Sequence, residues 1–287
     1  MATTVTAGGT RVVVDHTGGA RPLGAFATLV RRRFALSART PRELFVPLLT
    51  PILFALVIAP ALATVVGGTT AGGLDYMTFV AIATAGLLIP INMMFSGIGV
   101  IVDRETGARR DLLAAPIARS LVVFGNLAVA FSVTALQVVT LIVAAMLRGA
   151  DFVPSAGSAL WFVGGASLLA IGMYGVAESM ANRVDRQEEY IAAVPAIAIV
   201  PWFFAGSLFP LSALPVALAG FARALPLTHA MALMRYGLLD RSGSGLHDIW
   251  GFGSTTQEAF MSLAVVTSFA VLMLAVAVRV FRRVSVQ

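Results

Sequence analysis

The sequence predicts an all-α integral membrane protein. It has six transmembrane helices, an N-terminal interfacial amphipathic helix, a charged cytosolic loop after the second span, and a re-entrant helical hairpin before the last. Three observations carry this. The chain has 287 residues, 58% of them hydrophobic, and a mean hydropathy of +0.90; a soluble domain of that size could not hide so much apolar surface. Apolar runs of about 20 residues recur along it, the length that crosses a bilayer as a helix. Charged residues, only 12% of the total, collect in the gaps between those runs.

The same totals exclude several chemistries. There is no cysteine, so no disulfide framework and no thiolate metal site. All 20 basic residues are arginine. Without lysine there is no P-loop lysine, no Schiff-base lysine and no lysine general base. Three histidines without cysteine make no convincing metal-ligand set. The net charge of +6 comes from arginines flanking apolar runs, so it reads as membrane topology rather than nucleic-acid binding.

Residues 1–20 are small, polar and Gly/Thr-rich, and are expected to be a flexible cytosolic tail. The first long apolar run begins only at Leu44, after seven arginines, which is not the layout of a signal peptide. From 21 to 287 the chain reads as one transmembrane domain. Residues 22–39 place Leu23, Phe26, Ala27, Val30 and Phe34 on one helical face, with Arg32 opposite and Arg31 and Arg33 beside it. Such a helix lies in the membrane interface. Spans are expected at 44–66, 76–102, 121–147, 160–181, 190–208 and 259–280. Prolines fall inside several of them, and Pro195 with Pro201 in one short span predicts a kink. Gly164, Gly165, Gly172 and Gly175 in the fourth predict close helix packing.

Between the second and third spans lies a charged island, residues 103–119, with three acids and four arginines. The N-terminal segment, the island, the loop at 183–190 and the C-terminal tail together hold sixteen arginines. The other side holds four: Arg148, Arg223, Arg235 and Arg241. The positive-inside rule puts the sixteen, and both termini, in the cytosol. The region 209–239 does not fit simple spanning. Pro210, Pro215 and Pro226 bracket two apolar pieces of about half a span each. Arg223 and Arg235 inside them argue for a re-entrant hairpin over two full spans.

Few residues invite chemistry. Asn92 and Ser96 sit one turn apart in the second span, and Thr134, Gln137 and Thr140 make a similar patch in the third. Interhelical hydrogen bonding and a polar substrate path both fit them. Ser96 with His229 raises the idea of an intramembrane serine protease, but the Met-Phe-Ser-Gly context and the lone His argue against it. Glu178, a turn inside the fourth span, is expected to snorkel to the interface or pair with Arg183. No second mid-membrane acid accompanies it, which weakens a proton relay.

Two stretches resemble a known family. The run Arg104-Glu105-Thr106-Gly107, then Asp111-Leu112-Leu113-Ala114-Ala115-Pro116-Ile117-Ala118-Arg119, resembles the loop after the second span of ABC-2 type exporter permeases. The run from Gly206 through Pro210 and Pro215 to Arg223-Ala224-Leu225-Pro226-Leu227-Thr228-His229 resembles the region before the last span of the same family. The nearest flavour is the daunorubicin-resistance group, itself similar to Nod-factor exporter permeases. The resemblance implies a permease of a bacterial cytoplasmic membrane, not an enzyme by itself, that dimerises with itself or a sister permease. Two copies of a separate cytosolic ATP-binding subunit would dock beneath and hold ATP and Mg. No cofactor would be bound by this chain, and membrane lipids rather than nucleic acid would surround it. It implies a cytosolic coupling helix around Asp111–Ala118 and a coupling role for Arg104, Glu105, Asp111, Leu112, Leu113 and Pro116, bordered by Arg31, Arg32 and Arg33. Pro210, Pro215, Pro226 and His229 would form an outer gate, with Phe203, Phe204 and Phe209 near it on the substrate path beside Asn92 and Ser96. An apolar, Met- and Phe-containing lining suits an amphiphilic drug or lipid. A stand-alone channel or a proton-coupled transporter is the alternative.

Overall fold

The computed structural model describes residues 3–7, 10–14, 24, 26–31, 35, 49, 53–67, 75–114, 118–153 and 155–284. Apart from one hairpin, the regular structure among them is helical. That hairpin, β1 (Thr3–Ala7) paired antiparallel with β2 (Thr10–Val14), lies in the stretch expected as a loose tail. Its Thr- and Val-rich strands favour a pleated backbone. Gly8 and Gly9 stand between them in sequence, the two-residue spacing of a tight hairpin.

Residues 26–31 are helical, within the expected interfacial helix. Leu29, off the anticipated stripe, packs against the core. A Cβ added at Gly125 would sit 3.3 Å from it. The start of the first expected span, residues 44–48 and 50–52 of 44–66, lies outside the described residues. Its end is a π-helical turn, Phe54–Ile58, followed by α1 (Ala59–Val66), which stops at Gly67 with φ +87.

Among the described residues four helices are long and apolar enough to cross a membrane: Tyr76–Glu105, Arg119–Leu147, Gly157–Ala181 and Thr255–Arg283. They correspond to the second, third, fourth and sixth expected spans. The first of these comprises α2 (Tyr76–Ser96) and α3 (Ile98–Glu105). Then come α4 (Ala108–Ala114), α5 (Arg119–Leu147), α6 (Ala156–Ala181) and α7 (Gln187–Phe204). The helix α7 is the expected fifth span and falls short of the others. Its first turn carries Glu188 and Glu189, and it ends where Gly206 takes φ +71 and Ser207 Oγ donates to the Trp202 carbonyl at 2.6 Å. It runs through Pro195 and Pro201 as one helix.

The expected re-entrant region is a broken pair, α8 (Val216–Ala224) and α9 (Pro226–Leu238), bent by 83°. Counting the pair as one span gives five. The break is local chemistry: proline disfavours helical backbone in the residue before it, and Leu225 is extended at φ −80, ψ 125. Pro226 then starts the next helix, where its missing N–H is harmless. A short helix α10 (Ser244–Ile249) precedes the last, α11 (Thr255–Val284).

The core is α2, wrapped by α6, α7, α9 and α5. Residues 76–86 are buried on every face. The glycines of α6 do what their spacing predicts. A Cβ at Gly175 would stand 2.5 Å from the Met273 backbone, one at Gly172 would collide with Phe269, and one at Gly165 would meet Leu233 at 3.1 Å. Backbones approach this closely only where side chains are absent, which suits helix pairs in lipid.

Candidate coupling site

The second span continues as helix through Glu105, so the start of the island is an extension of the span. Gly107, at φ +77, turns the chain, and α4 follows. The turn sorts the island's charges. Glu105 and Arg110 are exposed, Arg104 is half-buried and Arg109 is buried.

Arg104 reaches the turn after α6. Its guanidinium donates to the carbonyls of Val184 at 2.7 Å, Asp185 at 3.0 Å and Ala181 at 3.3 Å. The last carbonyls of a helix lack partners within it and carry the negative end of its dipole. A planar, always-charged fork answers both needs.

Arg109 lies with its guanidinium carbon 5.0 Å from the centre of the Phe281 ring, on the last span. Neither of its terminal nitrogens makes a hydrogen bond. Burial pulls its pKa below the ordinary arginine value; the Glu178 charge opposes that pull and the Arg104 charge adds to it. Glu178 does not snorkel. It is 1% exposed and accepts from Tyr174 Oη at 2.9 Å and Asn182 Nδ2 at 3.0 Å, while Arg183 faces solvent. Tyr174, Glu178 and Asn182 recur every four residues, one stripe of the helix. Nearby, Tyr190 Oη donates to the Met94 carbonyl at 2.6 Å, tying the start of α7 to the end of α2. The island is therefore fastened to the turn after the fourth expected span and to the sixth, while the second span just before it is tied to the fifth.

Of the other expected coupling residues, Leu112 packs against the core and Arg31 is exposed. Asp111 and Leu113 lie on α4. Arg32, Arg33 and Pro116 lie outside the described residues. Arg109 and Tyr190 are the members that sequence reasoning missed; it singled out Glu178 but with other partners, and the four-residue spacing of Tyr174, Glu178 and Asn182 was the available signal for its true ones.

The expected path residues are spread out. Asn92 Nδ2 donates to Gln137 Oε1, joining the second and third spans. Ser96 Oγ donates to its own turn at Met93, 2.6 Å away. His229 is buried beside Ser262 Oγ, 3.3 Å from Nδ1, and the Arg223 carbonyl, 2.9 Å from Nε2. Each thus has other partners, and no Ser–His dyad forms between them. Phe204 packs edge-on to Phe221 of α8 at 5.6 Å, and Phe203 likewise to Trp202 at 5.1 Å. Phe209 is 37% exposed. Pro210 and Pro215 stand immediately before the 3-10 turn Leu211–Ala213 and α8. Arg235, the buried arginine of α9, donates to the Ser207 carbonyl at 2.9 Å. Its guanidinium carbon is 3.8 Å from the Phe79 ring centre.

A model of the ABC-2 type transporter family matches residues 24–239, most of the chain. No curated protein matches it.

Proposed function

The chain belongs to the ABC-2 type transporter family, and from that premise we propose that it is the permease subunit of an ATP-binding cassette exporter. It moves an amphiphilic drug or lipid-like substrate outward across the cytoplasmic membrane. ATP is hydrolysed in a separate subunit present in two copies, and this chain pairs with itself or a sister permease. The family's membrane domain is not itself catalytic. A chain without lysine has no P-loop lysine to offer.

One observation supports the reading most. The island carries exposed charges on its outside, Glu105 and Arg110, and is bonded on its inside to the turn between the fourth and fifth spans through Arg104. A push on Glu105 and α4 by a docked subunit is thus delivered to several spans at once. The prolines of α2 and α7 leave those helices with missing backbone bonds, where bending costs less. Motion there would open a path, with the bent pair α8–α9 closing its outer end.

The test is reconstitution with an ATP-binding subunit from the same organism and assay of ATP-dependent export of fluorescent phospholipids and amphiphilic drugs. Export that needs both chains and ATP is the expected result. Transport by this chain alone overturns the reading in favour of a channel. The variant Glu105→Ala should keep the fold yet lower transport at least tenfold. Unchanged docking and transport in Glu105→Ala would remove the island from the coupling role.

A further inference from the structure

An open groove of about 1730 Å³ runs between the start of α5 and the end of α11, at the arginine-rich end of the bundle. It exceeds the ~300–1,000 Å³ of sites for drug-sized ligands. Its wall on α11 is one helical face: Val271, Leu274, Ala275, Val278, Arg279 and Arg282 follow at spacings of three and four. The face is apolar first and basic last. On α5, Phe124 stands in the groove and Arg119 and Ser120 stand nearer the helix start. Arg283 adds a fourth guanidinium.

The dimensions fit one occupant. The apolar part of the face, Val271 to Val278, rises about 10 Å, roughly a third of the ~30 Å hydrocarbon core, and Arg279 and Arg282 follow beyond it. A groove apolar in its inner part and ringed by arginines at its mouth matches the upper part of a phospholipid, phosphate and first acyl carbons, in outline and charge. Arginine's fork pairs with phosphate oxygens two at a time. Arg119 and Arg282 also hold interactions within the chain, while Arg279 and Arg283 are exposed. We propose that this groove is a binding site for an anionic phospholipid of the adjacent leaflet. Its acyl chains lie along Phe124, Leu274 and Val278, and its phosphate sits among Arg279, Arg282 and Arg283. Binding needs only this chain, so it stands or falls apart from ATP-driven transport.

The experiment uses the full chain in nanodiscs of phosphatidylcholine carrying a trace of phosphatidylglycerol with a photoreactive acyl chain. Labelled peptides are mapped by mass spectrometry. Labelling should concentrate on residues 118–124 and 271–278. Unlabelled phosphatidylglycerol should compete at least tenfold better than phosphatidylcholine. Double substitution Arg279→Gln with Arg283→Gln should cut labelling roughly tenfold or more, since each basic residue near an anionic lipid contributes appreciably. The Arg279→Lys, Arg283→Lys pair should restore most of it. Size-exclusion elution and melting temperature check that the variants fold. If the double Gln variant unfolds, the lipid competition on the unaltered chain decides alone. Equal labelling by a phosphatidylcholine probe overturns the proposal. So do full competition by inorganic phosphate and crosslinks through the groove to a second copy of the chain.

Discussion

At the arginine-rich end of the bundle, Arg104 takes carbonyls 77 to 81 residues away, while Glu105 beside it faces out. At the opposite end Arg241 also reaches far, to the Val153 carbonyl, but the polar groups around the start of the last span close mostly on near neighbours. Glu258, fully buried, meets His247 Nδ1 at 2.6 Å and accepts from the Phe252 N–H at 2.7 Å. Trp250 Nε1 donates to Ser262 Oγ at 2.8 Å. Asp240 accepts from Ser242 and Ser244 hydroxyls and the Ser242 and Gly243 amides. One end joins distant elements and leaves charge on its outside. The other seals short helices onto the start of the last span. The difference bears on the proposed coupling: a load on the first end would be shared among spans, whereas the second is a local clasp.

The contrast breaks most visibly at Glu258. The variant Glu258→Ala strips the clasp of a buried acceptor and leaves the Phe252 amide unanswered. It should cost about 2–3 kcal/mol, read as a lowered unfolding temperature in detergent. Arg104→Ala should cost less, about 1 kcal/mol, because the side chain is half-buried and its carbonyls can turn to water. Its signature is functional instead: in the reconstituted complex, ATP hydrolysis should persist while transport falls. A stability loss from Arg104→Ala equal to that from Glu258→Ala would erase the distinction between handle and clasp.

The smallest effect concerns pH. Burial alone would raise the Asp240 carboxyl, but the hydrogen bonds from Ser242, Ser244 and Gly243 outweigh it and hold its pKa below the ordinary value. A carboxyl with a depressed folded pKa adds stability that is full above about pH 4 and is lost as pH falls through the folded value. Asp240→Asn should therefore lower stability by less than about 1 kcal/mol at neutral pH and flatten the acid limb of the unfolding curve. An unaltered acid limb would show that the clasp does not depend on this loop.

Much of the fold was legible because it follows from local rules. Four spans, the break at Leu225–Pro226 and the glycine contacts of α6 all stem from run length, proline sterics and missing side chains. The hairpin in the first residues was missed because small polar composition signals a loose tail, although Thr and Val also favour a pleated backbone. Only part of the candidate site was legible. The exposed handle, Glu105, stands out as a charge between two apolar runs.

By itself, then, the sequence determined that the chain belongs in a bilayer, that its arginines gather at one end, and that it carries no lysine chemistry of its own. Only the tertiary structure decided which charges turn inward. Arg104 and Arg109 stand five residues apart on the same short island as exposed Glu105 and Arg110. What separates them is the arrival of the carbonyls of the turn after α6, the Glu178 carboxylate and the Phe281 ring. Those groups come from far along the chain, and a buried charge is tolerated only where such partners converge.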